Sequence, residues 1–104
     1  MTSTLYACYS QPEDEQAFDR HYEQVHSKLG LALPGLRAFT GTKPAAGPDG
    51  APPAYYFIAA LTFDDDAALS AALSGPEGQA AVDDLANFAG AGVALMTGPT
   101  TVYS

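Results

Sequence analysis

The stretch AYYFIAALTF, residues 54–63, decides the fold. Aromatic and β-branched residues run through it without a charge or a proline, which predicts a strand. Side chains alternate across a strand. Tyr55, Phe57, Ala59, Leu61 and Phe63 therefore share one face, and Tyr56, Ile58, Ala60 and Thr62 share the other. Both faces are largely apolar. An antiparallel sheet with one side in water alternates between apolar and polar positions, so this strand predicts cover on both sides of its sheet.

Near the N-terminus, STLYACYS (3–10) predicts a first strand. QPEDEQ follows with a turn and acidic residues suited to the positive end of a helix. Residues 14–29 read as that helix, with Phe18, Tyr22, Val25 and Leu29 forming its buried stripe. Gly30 is expected to cap its C-terminus before Pro34. Residues 36–42 alternate as a second strand, and PAAGPDGAPP (44–53) reads as a hairpin loop. After the decisive strand, DDD (64–66) supplies N-caps for one helix, and GPEG starts another with Pro76 in its first turn. Ala81, Leu85 and Phe88 form its short stripe, and Asp83 and Asp84 read as a solvated face. GAGVALMTGPTTVYS closes the chain as a last strand, expected to break or bulge at Gly98-Pro99.

The order β-α-β-β-α-β predicts an α+β, ferredoxin-like fold, with a four-stranded antiparallel sheet and helices on one face. The helices suffice for one face only. The other predicts a second copy of the chain packed sheet to sheet about a two-fold axis, a homodimer.

The 104 residues fit one domain spanning 1–104. Twelve acidic residues against four basic ones give a net charge of −8. That balance argues against nucleic acid and against an anionic membrane surface. A single cysteine, Cys8, excludes an internal disulfide and reads as a buried structural thiol. There is no leader-like N-terminus and no apolar run of about 18 residues, so the expected location is cytoplasmic.

Three segments together resemble the EthD family, within the dimeric α/β-barrel superfamily: AFDRHYEQVHSKLGLALPGL (17–36), AYYFIAALTFDDDAALSAALSGPEGQAAVDDLANF (54–88) and GAGVAL (90–95). The resemblance runs nearly end to end. It implies a ferredoxin-like protomer, a dimer across the sheets and a cleft between sheet and helices. It also implies a histidine at the position of His26, ahead of LPGL, that looks into the cleft. Lys28 stands where many relatives carry proline. Relatives in the superfamily include cofactor-independent monooxygenases, isomerases, cyclases and haem enzymes, so the resemblance speaks to fold before reaction.

His26 is the leading candidate for chemistry. On a regular helix it falls about 60° from the centre of the stripe, at the border of the buried face. Imidazole suits proton transfer near neutrality. Tyr22, one turn earlier, could hydrogen-bond a ligand or orient the imidazole. Tyr9, Phe39, Tyr55, Phe57 and Phe88 could line an aromatic cleft. His21 falls on the opposite border, about 140° from His26 on a straight helix, and reads as a solvated rim residue. Nothing has the spacing of a metal site, a phosphate loop or a nucleophile elbow.

The expectation is a small hydrophobic or aromatic ligand with cofactor-free acid/base chemistry at His26. The alternatives are a homodimer that binds such a ligand without turning it over, and a haem protein using His26 as axial ligand.

Overall fold

The computed structural model describes residues 1–104. Strand β1 (Thr2–Tyr9) leads to α1 (Glu15–His21), a single wide turn (Tyr22–His26) and α2 (Ser27–Leu31). Then come β2 (Ala38–Thr42), β3 (Phe57–Phe63), α3 (Asp66–Ser74), α4 (Pro76–Phe88) and β4 (Val93–Thr100). The strands form one antiparallel sheet in the order β2-β3-β1-β4. This is the α+β, ferredoxin-like fold that the element order predicts. No helix is long and apolar enough to cross a membrane.

The two inner strands carry the core. Leu5, Ala7 and Tyr9 of β1 and Ala59, Leu61 and Phe63 of β3 are buried beneath the helices. Directly opposed residues share a face, so the register places Tyr6, Cys8, Ile58, Ala60, Ala94 and Met96 together on the other side. The molecule measures 38 × 34 × 18 Å. Its least dimension holds two layers, one sheet and one set of helices, because packed layers lie about 10 Å apart. Tyr6 is 42% exposed and Met96 51% on the bare face.

Several boundaries differ from the sequence reading. Pairing in β3 begins at Phe57, not at residue 54. Tyr56 turns instead toward α1: its ring meets Phe18 edge-on at 5.3 Å and its hydroxyl donates to Asp19 at 2.9 Å. Lys43 donates to the same carboxylate at 2.7 Å and lies over the Tyr56 ring. The two ends of the long β2–β3 loop are thus tied to one aspartate.

The bulge expected in β4 is absent. Pro99 pairs with Ser3 and Gly98 with Thr4 in continuous register. An edge strand tolerates proline because its outward amide needs no partner. Asp65 caps α3 by accepting from the Ala68 amide, as the acidic triplet predicts. Asp64 pairs instead with Arg37, and Asp66 accepts from Ser3.

Candidate functional site

The helix after β1 begins regularly. Asp14 caps it, accepting from the Ala17 amide at 3.0 Å. At Tyr22 the winding widens: the Ser27 amide donates to the Tyr22 carbonyl, five residues back instead of four. Such π-turns carry one extra residue per turn and recur at functional sites. The consequence is a change of face. The buried side of the rod becomes Phe18, Tyr22, His26 and Gly30, every fourth residue. Val25, expected in the stripe, is turned out and 40% exposed. Gly30 does not end the helix. It lies buried within α2, where a Cβ would come within 2.6 Å of the Phe39 ring.

The same widening overturns the reading of the two histidines. Residues five apart diverge on a regular helix but nearly superpose on a π-turn. His21 and His26 therefore point the same way, and both reach Asp84 on α4. His26 Nδ1 lies 2.9 Å from Asp84 Oδ2, and His21 Nε2 lies 2.9 and 3.0 Å from the two carboxylate oxygens. Asn87 Nδ2 donates to Oδ1 at 3.0 Å. Asp84 is buried, not part of a solvated face, and the His21 side chain keeps only 25% of its exposure.

The signal for Asp84 was present in α4. It lies three residues after Ala81 and four before Phe88, in the same stripe as the apolar residues. Asp83, one position over, is exposed and bonds only Gln79.

Electrostatics assign the hydrogens. Burial pushes the Asp84 carboxyl up, but the hydrogen bonds from Asn87, His26 and His21 outweigh it and hold the group below the usual carboxylate range. An ionised carboxylate only accepts, so His26 donates through Nδ1 and leaves Nε2 as the basic nitrogen. Burial lowers the His26 pKa, and although Asp84 opposes this the net shift is down. The imidazole is therefore neutral at pH 7. Its Nε2 lies 3.4 Å from the Tyr9 hydroxyl. Burial, with the neighbouring Tyr22 and Asp84, pushes the Tyr9 phenol well up, and burial does the same to Tyr22. Both remain neutral hydrogen-bonding groups.

His26 lines an apolar cavity of about 100 Å³ between sheet and helices. Tyr9, Tyr22 and Phe39 share its wall with aliphatic side chains such as Leu5, Leu61 and Leu85. Phe57 and Phe88 stand behind this wall: Tyr22 meets Phe57 at 4.7 Å, and Phe88 lies 4.7 Å from His26 and 5.0 Å from His21. Of the residues singled out from sequence, Tyr9, Tyr22, His26, Phe39, Phe57 and Phe88 thus come together. Tyr55 joins neither the cavity nor the aromatic cluster; its neighbour Tyr56 is the one turned toward Phe18.

The EthD domain model matches residues 10–92. An uncharacterized 11.0 kDa protein from the thcB-thcC intergenic region of Rhodococcus erythropolis is 40% identical over 88 residues, covering 85% of this chain and 84% of its own. The crystal structure of an ethyl tert-butyl ether D (EthD) family protein from Bacillus halodurans C-125 superposes with a TM-score of 0.90. It is 38% identical and covers 97% of this chain and all of its own. A dimeric ferredoxin-like protein of unknown function from Jannaschia sp. CCS1 is 26% identical with a TM-score of 0.68, covering 96% of this chain and 100% of its own. Matched over most of its length by the family model and by both of the first two relatives, this chain belongs to the EthD family.

Proposed function

We propose that the protein binds a compact, uncharged, largely apolar metabolite in the cavity between sheet and helices, and that His26 carries acid/base chemistry on it without a cofactor. The observation that carries this reading is a neutral imidazole in an otherwise apolar cavity. Its Nδ1–H is held by Asp84, and its basic Nε2 is turned toward Tyr9.

The arrangement follows the logic of an oriented base. Asp84 fixes the tautomer and supports the imidazolium that forms when Nε2 takes a proton. The Tyr9 hydroxyl, at 3.4 Å, is a weak partner that a substrate oxygen or acidic C–H can displace. The lowered His26 pKa keeps the base form populated at neutral pH. The reaction class is an isomerisation, cyclisation or dehydration, each of which takes a proton from one atom of the substrate and returns it to another, or a decarboxylation, whose carbanion takes up a proton in place of the CO2 lost.

The bare sheet face supports a homodimer. Tyr6, Ile58, Ala60, Ala94 and Met96 form an apolar surface of the kind that marks an interaction site. A two-fold axis brings the same surface from a second copy against it. The Jannaschia relative is itself described as dimeric.

Native mass spectrometry of the protein purified from its own host tests both parts. The expected species is twice the chain mass with a small retained organic ligand. A ligand that is retained and returned unchanged after long incubation identifies a binding homodimer without turnover. A bare monomer overturns the reading.

A further inference from the structure

His21 has no part in the chemistry proposed for His26, yet it is held as firmly. It does not line the cavity that holds His26. It borders a separate open groove of about 540 Å³ between the start of α1 and the end of α4, beside Asp14, Asn87 and Phe88. Its ring stacks on Phe88 at 5.0 Å and 20°. A buried carboxylate thus stands between two spaces, with an imidazole on each side: His26 on the apolar cavity and His21 on the more polar groove. The i→i+5 turn makes the arrangement possible, because on a regular helix the two rings lie about 140° apart.

We propose that His21 is a positioning residue for His26: through the shared Asp84 carboxylate it couples the basicity of the cavity imidazole to the protonation of the groove. The proposal rests on the reading of His26 as the base of the site. One negative charge serves two rings. While His21 is neutral, the charge of Asp84 supports the imidazolium formed when His26 takes a substrate proton. When His21 takes a proton from the groove, it forms its own ion pair with Asp84. A second imidazolium on the same carboxylate is then opposed by like-charge repulsion, and His26 becomes a weaker base.

The groups that face His26 are few. Tyr9 approaches from β1, Tyr22 and His21 from its own helical rod, and Asp84 from α4. Burial keeps both phenols neutral, and on the groove side the carboxylates of Glu13 and Asp14 stand beside His21. The balance at His26 follows the same arrangement: burial lowers its pKa most, Asp84 raises it, and the charge of His21 lowers it again. Asn87 supplies a neutral donor that keeps one carboxylate oxygen engaged throughout.

The test follows the ring nitrogens by ¹⁵N NMR across pH in the intact, ligand-free protein, and in the His21→Gln and Asp84→Asn variants. Amide spectra check that each variant is folded. In the unaltered protein the neutral His26 ring is expected to carry its hydrogen on Nδ1 and to titrate over a broader range than a single independent site. In His21→Gln the curve should narrow to a single-site shape and its midpoint should rise. In Asp84→Asn the midpoint should fall and the tautomer preference should weaken. If Asp84→Asn does not fold, His21→Gln carries the test alone. A His26 titration unchanged by His21→Gln, or a neutral His26 with its hydrogen on Nε2, overturns the proposal. No substrate is needed, so the result stands apart from whether the reaction assigned to His26 is right.

Discussion

Asp84→Ala is the sharpest structural perturbation. It removes the acceptor for His26, His21 and Asn87 together. His21 and Asn87 reach water and recover most of what they lose. His26 does not, and stranding its buried N–H costs about 1–3 kcal/mol. Loss of the charge-assisted bond itself adds to this. A better helix former at position 84 returns up to about 0.7 kcal/mol. The net expectation is about 2–3 kcal/mol of destabilisation, which lowers the urea midpoint by about 1–2 M for a domain of this size.

The control is next door. Asp83 is exposed and bonds only Gln79, so Asp83→Ala should stay within about 0.5 kcal/mol of the parent. Both variants are compared by urea unfolding at pH 7 and one protein concentration, since a dimer's stability depends on concentration. Equal midpoints for the two alanine variants would mean that Asp84 is as solvated as its neighbour and holds no buried donor.

Other outcomes follow from the same structure. A Cβ on Gly78 would lie 2.3 Å from the Leu73 carbonyl oxygen and 2.5 Å from that of Ala72, so Gly78→Ala should cost about 3 kcal/mol or more in thermal or urea unfolding, at the upper end of overpacking. Both His26 and Asp84 are shifted down on folding, so each takes up its proton more readily in the unfolded chain. Stability should be flat just above pH 6.5, decline as pH falls from about 6.5 toward the lowered His26 value, and decline again below about 4 as Asp84 is forced to protonate; an unfolding midpoint that rises as pH drops from about 6.5 toward about 5 contradicts the His26 shift, and one that rises below about 4 contradicts the Asp84 shift. Met96→Asp places a charge on the bare sheet face without touching the cavity, and should halve the mass seen by light scattering while leaving the circular dichroism unchanged.

The fold was legible because its signals are local and strong. Residues 57–63 read as a strand apolar on both faces, and the acidic triplet 64–66 holds the cap of α3, as its position announces. The site was half legible. His26 stood out by chemistry and by its place at the edge of the stripe. Its partner did not, because a wheel of 100° per residue presumes regular winding, and the widened turn at Tyr22–His26 breaks that premise. Neither proline nor a glycine–serine pair marks the turn. The structure shows what accompanies it: two imidazoles on one carboxylate supplied from 58 residues along the chain. Asp84 was misread with Asp83 as a solvated pair. Its phase within the α4 stripe separates the two, but an aspartate in an apolar stripe makes sense only once its donors are known. Gly30 was misread for a similar reason, since its role is to admit a ring from β2.

Proton transfer by His26 is read from turnover of the metabolite that the protein retains from its own host. His26→Gln keeps a hydrogen-bonding side chain of similar reach but removes the basic nitrogen. The expected result is a loss of about 10²–10⁴-fold in kcat, the usual contribution of a positioned acid or base, with the ligand still bound. Full turnover by a folded His26→Gln protein would contradict it.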